Sequence, residues 1–299
     1  IRDSSKLAPR FSGVCIENIK VKKSADWIQN KLKSIGLTPI NNVVDITNYV
    51  LHELGQPLHA YDLEKIKSNN IEVKTLKKDT LFTTLDGVER KLDDSDLMIC
   101  DGNNPMCIAG VFGGDDYGIN NETNTIFLES AYFDPVSIRK TAKFHSINSD
   151  ASFRFERGID VELVEYALKR AALLICEECE GKICSDIIDE YSNRIDSKSI
   201  LLNFEKTNKL IGQIIPPEEI KSILTSLDFK INNITETGVG ITVPTYRHDV
   251  TRECDVVEEI LRIYGFNEIK LSNNLSISIN AIETNLYYKT EKSIASILN

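Results

Sequence analysis

The sequence predicts an α+β fold, with a mixed, sheet-rich domain followed by a small winged-helix-like α+β domain. Short alternating apolar segments fill residues 71–129, which is typical of strands. Longer segments with helical apolar spacing lie on both sides of them. A polar stretch at 192–199 separates two ordered-looking parts. We therefore expect domains at 1–196 and 197–270, and the start of a truncated third domain at 271–299.

Composition and charge set the class of protein. The chain has 299 residues, of which 41% are hydrophobic and 27% charged, and its net charge is −10. This charge argues against a basic nucleic-acid-binding protein when the chain is taken whole. No apolar stretch approaches the roughly 20 residues that a membrane helix needs. Seven cysteines make a poor disulfide framework, so we expect free thiols and a cytoplasmic protein.

The elements of the first domain follow from local patterns. Apolar spacing predicts a helix over 43–54 that ends at Gly55, which places His59 just after it. Residues 71–75 alternate as a strand does, and Asp86–Gly87 marks a tight turn. Further short strands are expected at 97–100, 106–112 and 126–128.

A long helix and the elements of the second unit complete the prediction. Asp160 can cap a helix over 161–180, which Gly181 would end. The second unit is expected to contain a helix over 216–227, strands over 229–234 and 240–243, and a helix over 252–264. Another helix is expected over 286–298.

Two segments concentrate polar side chains beyond the needs of a surface helix. In the first, Thr47 and Asn48 lie on a helix that His59 follows. The second combines small and polar residues, namely Gly110, Gly113, Gly114, Glu129, Ser149 and Ala151. Helix caps and a satisfied histidine are one interpretation. The other is a pocket, because small residues clear space for the polar groups.

Charge is not uniform along the chain. Residues 137–158 hold five cations and two acids, a local charge of +3. A solvated helix face is the simpler interpretation, but a basic rim beside a polar pocket would suit a polyanionic substrate.

Carboxylates gather near the end of the second unit, at Asp249, Asp255, Glu258 and Glu259. Spacings of three and four put the last three on one helix face. Either neighbouring arginines pair with them as ordinary ion pairs, or the four hold a hard divalent cation, most simply Mg²⁺.

Five stretches together resemble the beta subunit of bacterial phenylalanyl-tRNA synthetase. They are NVVDITNYV at 42–50, GQPLHAYD at 55–62, AGVFGG at 109–114, SDASFRFERG at 149–158 and DVVEEILRIYG at 255–265. The resemblance implies that 1–196 is a tRNA-editing domain, 197–270 a winged-helix-like domain and 271–299 the start of a catalytic-like domain. It also implies that the chain is the middle of a longer subunit.

The resemblance implies an editing function, the hydrolysis of tyrosine wrongly attached to the phenylalanine tRNA. An apolar synthetic pocket rejects an added hydroxyl by only about 10²-fold, so a second site is needed. By resemblance Glu129 would read the tyrosine hydroxyl, Gly113 would leave room for the ring, and Ala151 would form a small wall. Ser149 stands where the family often has threonine.

The same resemblance places His59, Asn48 and Thr47 around the ester and the terminal adenosine. With a pKa near 6.5, His59 would be a general base at neutral pH. The family equally allows His59 to position the water or the ribose.

Partners and cofactors also follow from the resemblance. They are the alpha subunit in an α2β2 heterotetramer, the phenylalanine tRNA, and Mg²⁺ held by Asp249, Asp255, Glu258 and Glu259 at the contact with the alpha subunit. ATP would be used on the alpha subunit, so this chain alone would not activate phenylalanine. One alternative is a non-catalytic scaffold that binds tRNA and docks the alpha subunit. A DNA-binding winged helix over 197–270 is disfavoured by its acidic last helix.

Overall fold

The computed structural model describes residues 2–3, 5–68, 70–270 and 286–298. The first part of the chain contains β1 (Arg2–Asp3), β2 (Arg10–Glu17), α1 (Asp26–Ser34), α2 (Asn42–Leu54), β3 (Leu58–Asp62), β4 (Ile71–Thr75), β5 (Leu81–Thr83), β6 (Glu89–Lys91), β7 (Leu97–Asp101), β8 (Asn104–Ile108), β9 (Phe112–Gly113), β10 (Ile126–Tyr132), α3 (Pro135–Phe144), α4 (Asp150–Phe155), α5 (Leu163–Glu178), β11 (Lys182–Ile183) and β12 (Ile188–Tyr191). The rest contains β13 (Ser199–Asn203), α6 (Phe204–Ile211), α7 (Pro217–Ser226), β14 (Lys230–Ile234), β15 (Gly238–Thr242), α8 (Glu253–Tyr264) and α9 (Leu286–Leu298).

Sheets and helices mix as the sequence predicts, so the α+β fold class is confirmed. One sheet has the order β1-β4-β7-β8-β9, and a second has the order β11-β2-β10-β3 with β12 also on β2. Apart from the parallel pair of β1 and β4, the strand pairs of the described residues are antiparallel. The expected tight turn at Asp86–Gly87 joins β5 to β6.

Strand β10 lies between the two hydrophobic cores of the first part. Phe127 and Ala131 belong to the core beneath the first sheet. Ile126 and Leu128 face the other core, which α1, α2 and α5 cover. Successive side chains point to opposite faces of a strand, and every residue of β10 is buried. Glu129 therefore brings a carboxyl group into an otherwise apolar interior.

The second part has a core of its own. Strands β13, β15 and β14 form an antiparallel sheet, and α6, α7 and α8 pack against it. Leu202, Leu224, Ile241 and Ile260 lie at the centre of this core. This agrees with the small α+β unit expected there, whereas the domain limits at 196 and 270 remain predictions.

Helix α5 differs from its prediction at both ends. It begins at Leu163 with Glu162 as N-cap residue, and not at Val161 with Asp160 as the cap. The Asp160 carboxylate instead accepts hydrogen bonds from the Glu162 backbone N–H and the Thr245 hydroxyl. These bonds form a turn ahead of the helix. Cys179 ends α5, before the glycine that was expected to stop it.

Helix α9 confirms the helix expected over 286–298. The prediction that a third domain begins at 271 lies largely outside the described residues, because 271–285 are not among them. No helix of the described ranges is long and apolar enough to cross a bilayer.

Candidate active site

Helix α2 delivers the first polar side chains of the candidate site. The Asn41 side chain caps it by accepting from the backbone N–H groups of Val43 and Val44. Gly55 ends it with φ at 80°, a left-handed conformation that glycine adopts without strain. The chain then returns directly as β3, so the face of α2 that carries Asn48 and the strand that carries His59 border the same space.

Strand register places His59 beside Glu129. The two residues are partners in the antiparallel pair of β3 and β10, and side chains of such partners have Cβ atoms about 5 Å apart. Tyr61 lies two residues along β3 and shares the face of His59. Its hydroxyl donates to Glu129 Oε2 at 2.7 Å, and its ring meets the His59 ring edge-on at 4.5 Å between centroids.

A cavity of about 340 Å³ opens over this cluster, a size within the usual range for small-ligand sites. Every residue that the sequence analysis assigned to substrate binding or catalysis lines it, namely Thr47, Asn48, His59, Gly113, Glu129, Ser149 and Ala151. Apolar and small side chains complete the walls, including Leu85, Cys107 and Phe155. The structure thus gathers in one place residues that the sequence spreads over a hundred positions.

Glu129 is the most perturbed acid of the cavity. Only 5% of the residue is exposed, and burial raises the pKa of its carboxyl from 4.5 to about 7, while the hydrogen bond from Tyr61 acts in the opposite direction. Its second oxygen, Oε1, has no hydrogen-bond partner among the described residues. The carboxyl can therefore bind a ligand hydroxyl at neutral pH.

The pKa of His59 differs from the value expected from the sequence. Burial lowers the pKa of its imidazole to about 4, so the expected value near 6.5 is wrong. The ring is neutral at pH 7, and its nitrogens have no hydrogen-bond partner in the described part of the chain. An imidazole with so low a pKa is a weak proton acceptor, but its neutral ring keeps one donor and one acceptor nitrogen that can position a water molecule.

Gly113 allows this ring to lie where it does. A Cβ atom at this position would lie 2.9 Å from His59 Cε1 and 2.8 Å from Leu85 Cδ1, both too close for a real side chain. The space that the sequence analysis assigned to the substrate ring is thus bordered by His59 itself.

The polar residues of α2 divide into two groups. Thr47 donates to the Val44 carbonyl at 2.8 Å and keeps its oxygen as an acceptor, and the amide of Asn48 has no side-chain hydrogen bond among the described residues. At the start of the helix, Asn42 and Asp45 bind the segment that precedes α2. The cap interpretation therefore holds for the helix start, and the pocket interpretation suits Thr47 and Asn48.

Ser149 shapes the cavity through the backbone. As N-cap of α4 it accepts from the Ser152 backbone N–H at 3.0 Å, and its hydroxyl donates to the Val111 carbonyl at 2.7 Å. The Ser149 hydroxyl proton is therefore used within the protein and is not available to donate to a ligand. Ala151 follows in the first turn of α4, half-buried against the cavity.

Sequence reasoning missed two residues of this site. The Tyr61 hydroxyl donates to Glu129. Tyr61 could have been predicted from its position two residues after His59, because residues i and i+2 of a strand lie on the same face. Cys107 lines the cavity, but burial raises the pKa of its thiol far above neutrality, and the thiol donates to backbone carbonyls. Cys107 is therefore a wall residue and not a nucleophile.

The carboxylates of the second unit are engaged by arginines. Arg247 contacts Asp249 at 2.6 Å and Glu259 at 2.7 Å. Arg262 holds the other oxygen of Glu259 at 2.6 Å. These contacts match the ion-pair interpretation.

The remaining two carboxylates lie apart from this network. Asp255 accepts from the backbone N–H groups of Thr251 and Arg252 at the start of α8, and Glu258 is exposed. The described residues contain no group of three or more potential ligands able to hold a metal ion. As placed in this chain, the four carboxylates do not fit Mg²⁺.

Comparisons with known proteins agree with this arrangement of two units. The B3/4 domain model matches residues 7–180, and the tRNA synthetase B5 domain model matches residues 200–266. The chain is 52% identical over 277 residues to the phenylalanine–tRNA ligase beta subunit of Bacteroides fragilis strain YCH46. The aligned residues cover 93% of this chain and 34% of that protein. The identity is 53% over 277 residues to the beta subunit of Bacteroides thetaiotaomicron, with the same coverage. It is 50% over 292 residues to that of Porphyromonas gingivalis, covering 97% of this chain and 36% of that protein.

The chain spans about a third of the length of these curated relatives. A solved N-terminal fragment of the phenylalanyl-tRNA synthetase beta subunit from Pyrococcus horikoshii aligns with a TM-score of 0.42 and 16% identity, over 88% of this chain and 73% of that one. That similarity is too low to support a conclusion.

Proposed function

We propose a function from the finding that this chain belongs to the B3/4 domain family and is related along most of its length to phenylalanine–tRNA ligase beta subunits. Its cavity hydrolyses tyrosine wrongly attached to the phenylalanine tRNA. The observation that carries the proposal is the buried Glu129 carboxyl, whose Oε1 is free and which lies beside His59.

Glu129 supplies selectivity for tyrosine. A tyrosine hydroxyl would pair with the free carboxyl oxygen, whereas phenylalanine would leave this buried group without a partner. An unsatisfied buried polar group costs about 1–3 kcal/mol, which corresponds to roughly 5- to 150-fold discrimination. The site thus reverses the preference of an apolar pocket.

Hydrolysis requires a water oxygen to bond to the ester carbonyl carbon while the C–O bond to the ribose breaks, and the proton that the water loses passes to the leaving ribose oxygen. We assign His59 the positioning of this water through its acceptor nitrogen. The free amide of Asn48 suits the developing negative charge on the carbonyl oxygen, and we assign Thr47 the role of accepting a hydrogen bond from the ribose. Ser149 and Ala151 hold the wall of α4 in place.

The wider assembly belongs to the same proposal. We infer a longer cytoplasmic beta subunit that pairs with an alpha subunit in an α2β2 heterotetramer, with ATP used to activate phenylalanine on the alpha subunit. Any Mg²⁺ held by Asp249, Asp255, Glu258 and Glu259 would need the alpha subunit to rearrange the arginine contacts. By the same inference residues 1–196 edit, 197–270 form the winged-helix-like unit and 271–299 begin a catalytic-like domain.

Deacylation of purified tyrosyl-tRNA specific for phenylalanine tests the proposal. The chain should release tyrosine faster than the uncatalysed reaction, and Glu129→Ala and His59→Ala should each lower the rate at least about tenfold, which corresponds to 1.4 kcal/mol. Glu190→Ala, on the exposed strand β12, is the matched control and should act like the unchanged chain. Background rates in the unchanged chain and in its heterotetramer would instead favour the non-catalytic scaffold.

A further inference from the structure

The groove between α3 and α4 forms a second cavity next to the candidate active site. Its volume is about 560 Å³, and its lining includes Arg139, Lys143, Asn148, Phe153 and Arg157. The function proposed for the neighbouring cavity does not use these side chains.

Unpaired positive charge distinguishes this groove. Arg139 and Lys143 of its lining, and the neighbouring Lys140 on α3, are exposed and have no ion-pair partner among the described residues. On the α4 side, Arg154 pairs with Asp150 and Arg157 with Glu156. In a chain of net charge −10, three neighbouring cations without internal partners indicate an external anion.

Exposed aromatic rings accompany these cations. Phe153, which lines the groove, is 47% exposed, and Phe144, the last residue of α3 and outside the lining, is 59% exposed. The guanidinium of Arg157 lies 3.6 Å from the centroid of the Phe153 ring. Cations that follow a groove together with exposed rings form the usual surface for single-stranded nucleic acid, because bases stack on the rings while phosphates contact the cations.

Helix α4 is a common wall of the groove and the candidate active site. Ser152 and Phe153 line the groove, while Ser149, Ala151 and Phe155 line the active-site cavity. The groove and the cavity therefore adjoin along α4, so a strand whose last residue enters the cavity can continue into the groove.

We propose that the α3–α4 groove binds the phosphates and bases of the single-stranded 3′ end of an RNA whose terminal ester enters the cavity. Only the placement of that ester rests on the proposed function. The cations and rings would bind the strand whether or not the cavity is catalytic.

Fluorescence anisotropy with a labelled 12-nucleotide single-stranded RNA ending in CCA tests this proposal. The double variant Arg139→Ala/Lys143→Ala should raise Kd at least about tenfold at low salt. It should also reduce the slope of log K against log salt by about 1.4, because each phosphate contact on a single strand contributes about 0.7. Lys206→Ala/Lys209→Ala, which removes two exposed lysines from α6, should leave both quantities unchanged.

Three outcomes overturn the proposal: no binding of the RNA, equal affinity of the unchanged chain and the α3 variant, or an equal loss in the α6 variant. Glu129→Ala should keep the RNA affinity of the unchanged chain. If the groove variant weakens RNA binding but the unchanged chain hydrolyses no tyrosyl ester, the groove proposal stands and the proposed function fails.

Discussion

Glu129 shows how a single residue links stability to function. In the folded chain its pKa is about 7, compared with an ordinary 4.5. Between these pH values the folded state binds more protons than the unfolded state, so stability falls as pH rises. Above pH 7 the ionised carboxyl costs about 3 kcal/mol of folding free energy. A buried acid retained at this cost is typical of a functional site.

Glu129→Gln should therefore stabilise the chain at alkaline pH. The amide keeps the shape of the side chain and carries no charge to bury, so we expect a gain of up to about 3 kcal/mol at pH 8 and little gain at pH 4. Urea unfolding at the two pH values measures the difference. Glu190→Gln, on the surface, is the control. A gain that is the same at pH 4 and pH 8 would contradict the account.

Tyr61→Phe should change the pH profile of the reaction. The Tyr61 hydroxyl donates to Glu129 and favours its ionised form, so its removal should raise the pKa of Glu129 further above 7. We expect the apparent pKa of kcat/KM for the tyrosyl ester to move to higher pH, with weaker selectivity against the phenylalanyl ester. An unchanged profile would show that Tyr61 does not position Glu129.

At the scale of elements, the short helix α4 depends on its cap. It has six residues, too few to be stable without tertiary contacts, and the Ser149 hydroxyl ties it to the Val111 carbonyl.

Ser149→Ala should destabilise the chain by about 1–2 kcal/mol, because a cap bond and the bond to a backbone carbonyl are both lost. Ser149→Thr keeps the hydroxyl and should stay close to the unchanged chain. Chemical denaturation of both variants measures this. If the two lost equal stability, volume and not hydrogen bonding would be the property that matters at this position.

Helices and turns with a local sequence pattern were predictable from the sequence. Strands that are defined by their pairing with distant strands were harder to predict. Helix α2 followed from its apolar spacing and Gly55, and the hairpin of β5 and β6 from its turn. Strand β2 gave no comparable signal, because its place in the sheet comes from partners far along the chain. The cavity residues were identified by resemblance, but the contact of Tyr61 with Glu129 and the low pKa of His59 depend on strand register and burial.

At the scale of the whole molecule, the Arg247 network decides whether the chain can hold a metal alone. Asp249 and Glu259 both bind Arg247, so a cation would have to displace the guanidinium.

We expect Mg²⁺ to leave the Tm of the isolated chain unchanged and to raise the Tm of its complex with an alpha subunit. Glu258→Ala should weaken only the second effect. Differential scanning calorimetry of both preparations checks this. Saturable stabilisation of the isolated chain by Mg²⁺ would contradict the placement of these carboxylates in ion pairs.

A crystal structure with an amide-linked tyrosyl-adenosine, which cannot be hydrolysed as an ester, would show whether this cavity binds tyrosine through Glu129. We expect the phenolic oxygen about 2.7 Å from Glu129 Oε1, and the carbonyl carbon next to a water held by His59. A tyrosine ring bound outside this cavity, or a phenolic oxygen directed away from Glu129, would contradict it.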